Sequence, residues 1–154
     1  MSEPRWLTPD QAEVWAKYRT LRRTLQRAQD QQLQRDSGLS AADYALLAPL
    51  SESAEGVLRA RDLGAEVDWE RSRLSHQISR MEKRGLVTRE ACADDARGSM
   101  VRLTEKGREA IEAAAPAHAE NVRRLVFDPL TPDEVRLFGE MLDRILEAVE
   151  QNSG

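Results

Sequence analysis

The sequence predicts a mainly α fold with a small β-hairpin. Three observations predict it. Segments near both ends carry apolar residues at steps of three and four, strand-like runs are few, and charged residues make up 32% against 5% aromatic. The length of 154 residues suits one domain with helical extensions. The expected division is an N-terminal helix over 1-36, a compact middle over 37-104 and further helices over 105-154.

The first helix opens at Thr8-Pro9-Asp10-Gln11. Threonine caps the free amides, proline at the first helical position loses no needed hydrogen bond, and glutamine three residues after the cap reaches back. Val14, Tyr18, Leu21, Leu25 and Ala28 follow at heptad-like spacing, and the helix should end near Arg35, before Gly38. Thr131-Pro132-Asp133-Glu134 repeats the start signal, with Val135, Phe138, Leu142, Ile145 and Val149 behind it. A third helix opens at Thr104-Glu105-Lys106, with the stripe Ile111, Ala115, His118, Val122 and Leu125, and Pro116 should bend or weaken it. Such narrow stripes need packing to be stable in water, either as a bundle within one chain or, the favoured reading, in a two-fold dimer in which the end helices interleave.

In the middle, Ser40 caps a helix, with the acid Asp43 three residues on and Tyr44, Leu47 and Leu50 on one face, and Pro49 helps to end it. A short extended piece over Val57 to Ala60 precedes a brief helix from Arg61 to Glu66. Asp68 is then expected to cap a helix from Trp69 to Arg84, with Leu74, Ile78 and Met81 turned inward. Ser72, Arg73, His76, Ser79, Arg80 and Lys83 fall on the opposite side. Gly85 suits a left-handed cap. Leu86 to Glu90 and Met100 to Leu103 read as the arms of a hairpin around a polar turn with Arg97 at its tip.

Net charge is −4, but Arg71, Arg73, Arg80, Lys83, Arg84 and Arg89 are clustered against only Glu70 and Glu82. A basic island in an acidic chain can serve as a docking face, because phosphate neutralisation is local. Arginine can grip guanine through two hydrogen bonds, while serine and histidine donate or accept. A short helix, a turn, an exposed basic helix and a hairpin tipped by arginine, in that order, make the winged helix-turn-helix plan.

The run Ser72 to Val87 resembles the recognition helix of the MarR (multiple antibiotic resistance regulator) family. Asp94-Asp95-Ala96-Arg97-Gly98 resembles that family's Asp-x-Arg wing, and Leu103-Thr104-Glu105-Lys106-Gly107 its Leu-Thr-x-x-Gly continuation. The resemblance implies an obligate homodimer whose basic helices enter the major groove of double-stranded DNA. Arg97 would reach the minor groove, oriented by Asp95. The expected DNA contacts are Ser72, Arg73, Ser75, His76, Gln77, Arg80, Asp95 and Arg97. The implied activity is repression at a palindromic operator, relieved by a small ligand or by oxidation. His76 stands where the family more often has arginine or threonine. Cys92 lies beside the wing, whereas the best-known oxidation sensors of the family carry their cysteine in the first helix.

Trp15, Tyr44 and His118 are the candidate ligand-pocket residues, suited to a small aromatic or phenolic effector. His118 is also a candidate pH switch. Two alternatives stand beside the ligand-released repressor: a redox-responsive regulator using Cys92, and a winged helix used for protein–protein contact. No glycine arrangement builds a phosphate loop, and neither His-Glu-x-x-His nor Gly-x-Ser-x-Gly occurs, so no enzyme activity, cofactor or metal is expected. No apolar run approaches the roughly 18–20 residues a bilayer span requires, so no membrane partner is expected. Met1-Ser2-Glu3-Pro4 lacks the basic start of a signal peptide, and a cytoplasmic location is expected.

Overall fold

The computed structural model describes residues 1–92 and 98–154. The chain forms two compact units, Met1–His118 and Ala119–Gly154.

In the first unit, α1 (Pro9–Ser37) begins with the expected capping box between Thr8 and Gln11 and ends where Gly38 takes a left-handed φ of 70°. It therefore runs two residues beyond Arg35. α2 (Ala41–Glu52) starts from a second capping box, Ser40 with Asp43, and continues three residues past Pro49 before Ser53 closes it. β1 (Val57–Arg59) leads into α3 (Ala60–Val67), then α4 (Arg71–Lys83). β2 (Val87–Ala91) and β3 (Ser99–Leu103) form the hairpin, and β1 adds to its far edge, giving the antiparallel order β1-β3-β2. Leu58 stands opposite Val101, and Arg89 opposite Val101 on the other side.

One expected cap is corrected. Asp68 does not start α4; it closes α3 in a left-handed conformation with φ 53°. The Trp69 N–H still donates to Gly64 O at 3.2 Å, completing α3. The next helix consequently begins only at Arg71, with Glu70 at its N-cap and no side-chain capping bond.

The core is built where the alternating patterns meet. Leu46, Leu47 and Leu50 of α2, Leu63 of α3, and Leu74, Ile78 and Met81 of α4 pack with Leu86, Val87, Val101, Leu103 and Ile111. These leucines and the methionine are at most 8% exposed, so each contributes on the order of 1.5–3 kcal/mol by leaving water.

α5 (Glu105–Val122) is tied to the hairpin by the Leu-Thr-x-x-Gly segment. Thr104 Oγ1 accepts from Gly107 N at 3.0 Å and lies 2.6 Å from Gly85 O. A side chain on Gly107 would run into the Leu86 carbonyl, so this position needs glycine to let helix and strand approach. α5 runs unbroken through Pro116.

The second unit holds the end of α5, a π-helical turn over Arg123–Phe127 and α6 (Pro132–Asn152). α6 opens with the expected Thr131–Glu134 capping box. Val135 and Phe138 are partly buried, whereas the later apolar residues remain exposed, Ile145 at 60% and Val149 at 56%. Among the described residues, no helix is long and apolar enough to cross a membrane.

Candidate nucleic-acid interface

The inward face of α4 is anchored by Leu74, Ile78 and Met81, which fixes the opposite face toward solvent. Ser72, Arg73, Ser75, His76 and Arg80 are all exposed there. The structure thus brings five of the expected DNA-contact residues onto one accessible surface.

Gln77 is the exception and is corrected. It is 7% exposed, and its amide donates to Asp43 Oδ1 at 2.7 Å. On a helical period of about 3.6 residues it shares the face of Leu74 and Met81 rather than that of His76. Its role is structural. Asp43 is the hub: buried at 2%, it also accepts from Ser40 N at 2.9 Å and from Arg84 Nη1 at 2.6 Å. One carboxylate therefore caps α2, fixes the middle of α4 and holds the residue after it.

Arg89 braces the same helix from β2. Its Nη2 donates to Ser75 O at 2.7 Å and to Ser79 Oγ at 2.9 Å. Across the hairpin, Arg102 grips Glu90 through Nε–Oε1 at 2.6 Å and Nη2–Oε2 at 3.2 Å, and these hydrogen bonds hold the Glu90 carboxyl below its usual pKa. The wing strands are thus locked to each other and to α4. Asp95 and Arg97 lie outside the described residues.

Tyr44 and His118 are brought together, with ring centroids 4.2 Å apart. His118 Nδ1 is buried with no hydrogen-bond partner among the described residues, and burial pushes the imidazole pKa down. Trp15 is not part of that pair; it stacks on Tyr18 at 5.3 Å and is half exposed. Cys92 is buried, with its N–H donating to Gly98 O at 3.3 Å. A buried thiol is poorly placed to meet an oxidant. Among the described residues, no cluster of three or more His, Cys, Asp or Glu side chains could hold a metal.

Sequence reasoning missed two features, the Asp43 hub and the Arg89 brace. Asp43 was visible as the acid of a capping box, but its partners Gln77 and Arg84 lie 34 and 41 residues away. No local pattern announces such a contact.

A core-anchored helix with an outward polar and cationic face, followed by a β-hairpin whose far edge is paired by β1, defines a winged helix-turn-helix DNA-binding protein. Residues 37–98 match the family model for the MarR family. The chain is 41% identical to Sco3205 of Streptomyces coelicolor, a MarR family transcriptional regulator solved in complex with DNA; the match covers 96% of this chain and 92% of that one, with a TM-score of 0.90. It is 38% identical to AbsC, a MarR family transcriptional regulator of the same organism, over 96% of this chain and 99% of that one, also at a TM-score of 0.90. It is 27% identical to the S. coelicolor transcriptional regulator PcaV, solved in complex with its natural ligand, over 84% and 91% of the two chains at a TM-score of 0.70. The chain belongs to the MarR family. It is a DNA-binding transcriptional regulator and not an enzyme.

Proposed function

We propose that this regulator is a homodimeric repressor that reads a palindromic operator through α4 and leaves it on binding a small aromatic or phenolic effector. One observation carries the reading: Ser72, Arg73, Ser75, His76 and Arg80 project from a single helix face whose reverse side is locked into the core. A rigid polar face of that composition suits a major groove, with arginines for guanine edges and phosphates. The family resemblance of the segment over 94–98 adds Arg97 to this reading as the minor-groove contact, with Asp95 as its orienting partner.

Dimerisation is supported by the apolar residues that stay exposed at both ends of the chain. Val14, Trp15 and Leu21 on α1, and Leu142, Ile145, Leu146 and Val149 on α6, are each at least 40% exposed. A second copy of the chain covers these faces. Two copies related by a two-fold axis place two α4 helices on one duplex, and the operator then takes the same symmetry. The effector contacts the Tyr44–His118 pair, where an aromatic ring finds stacking partners and the unsatisfied imidazole nitrogen.

The test is selection of duplexes from a random-sequence pool by the full chain, with its mass measured by sedimentation. An enriched inverted repeat bound by a dimer is the expected result. 4-Hydroxybenzoate, as a phenolic probe, should weaken that complex in the wild type and not in Tyr44→Ala. Enrichment of an asymmetric site by a monomer would overturn the dimeric reading, and equal phenolic sensitivity in Tyr44→Ala would overturn the effector site.

A further inference from the structure

We propose that Trp69 is a positioning residue for DNA recognition: its indole face holds the Arg73 guanidinium in the orientation that reads the duplex. The inference rests on the assignment of the α4 face to DNA.

The Arg73 guanidinium carbon lies 4.1 Å from the centre of the Trp69 ring. Tryptophan is the best aromatic platform for a cation, and the flat guanidinium stacks on it without using its N–H groups. Those donors stay available to a guanine edge or a phosphate. Arg84 and Arg89 differ. Arg84 has its donors on Asp43, and Arg89 has its own on Ser75 and Ser79. Among the described residues Arg73 has no carboxylate partner, so stacking orients its charge without neutralising it.

The platform itself is fixed. Trp69 packs against the core cluster, and its backbone N–H donates to Gly64 O at 3.2 Å. Gly64 sits so close to Leu74 that an added Cβ would stand 3.2 Å from Leu74 Cδ2. α3, Trp69 and the first turn of α4 therefore form one close-packed corner. Glu70 gives α4 no side-chain cap, which leaves this packing to hold the helix entry. A free arginine side chain loses rotamer entropy when it docks. One already stacked loses less, and it presents its donors in a plane of set direction.

The test is a double-mutant cycle on the duplex enriched by the wild-type chain. Wild type, Trp69→Leu, Trp69→Phe, Arg73→Ala and the Trp69→Leu/Arg73→Ala double variant are titrated against that duplex and against single-base variants of it. Trp69→Leu should lose about three- to ten-fold in affinity and relax discrimination at the same base position as Arg73→Ala. The double variant should bind no worse than Arg73→Ala, and Trp69→Phe should recover most of the loss. In the free protein, the Arg73 side-chain protons should be shifted upfield by the indole ring, and this shift should vanish in Trp69→Leu. Losses that multiply in the double variant, or a Trp69→Leu loss uniform over all sequences, would overturn the positioning role while leaving α4 as the DNA face. A wild type that enriches no duplex would overturn both.

Discussion

The middle of the chain and its two ends use the same residue types to opposite effect. In the middle, Leu46, Leu47, Leu50 and Leu63 are at most 1% exposed. On α6, Leu142, Leu146 and Ile145 are 40%, 58% and 60% exposed. Both regions carry leucines at helical spacing, so periodicity alone does not distinguish a helix that finds its partner within the chain from one that does not. The middle closes on itself because three short helices and three strands supply facing surfaces. The apolar stripes of α1 and α6 lack that cover, and in the proposed dimer a second copy of the chain supplies it.

The largest expected effects lie in the middle. Leu47→Ala should lower stability by about 2–5 kcal/mol in urea unfolding, because it opens a cavity in a closed core. Ile145→Glu should instead change the sedimentation mass from dimer to monomer. If Leu47→Ala were neutral, or Ile145→Glu left the mass unchanged, the contrast between the two regions would be lost. Asp43→Ala should cost about 3 kcal/mol, near the low end for a broken buried pair, because Arg84 stands 44% exposed and stays hydrated. An unfolding free energy within 0.5 kcal/mol of wild type, about the range of an ordinary surface substitution, would remove Asp43 as a hub.

Much of this contrast was legible in the sequence. The capping boxes at Thr8, Ser40 and Thr131, the buried side of α4 and the hairpin all follow from local patterns. What was not legible depends on contacts between distant residues. Gln77 enters the expected DNA contacts only through the family resemblance, yet it is turned in, where Asp43 receives it. Asp68 reads as an N-cap, yet the preceding helix still needs the Trp69 amide. Trp69 and Arg73 stand four apart, within reach of one another on a helix, but nothing local says that the residue before the N-cap turns its ring beneath the arginine.

A smaller effect is expected at the wing. Arg97→Ala should weaken duplex binding by about 1–3 kcal/mol with unchanged urea unfolding. Loss of dimer mass in that variant would mean that Arg97 serves the interface between copies rather than the DNA.

The smallest effect concerns pH. Burial lowers the His118 pKa from its ordinary 6.5, so the unfolded chain takes up a proton more readily than the folded one. The stability held by the neutral imidazole is complete above the unfolded pKa and is lost as pH falls through the lower folded value. Wild type should therefore lose more stability than His118→Gln between about pH 7.5 and about pH 5.5. Parallel losses in the two proteins would show that His118 takes no part in the pH response.

The central claim is that the outward face of α4 meets phosphates and base edges. Its most direct test is the salt dependence of binding to the selected duplex, for the wild type and for Arg80→Ala. The account predicts a log–log slope of several units, reduced by about one for each α4 helix that loses a phosphate contact. A slope near zero, or one that Arg80→Ala leaves unchanged together with the affinity, would contradict it.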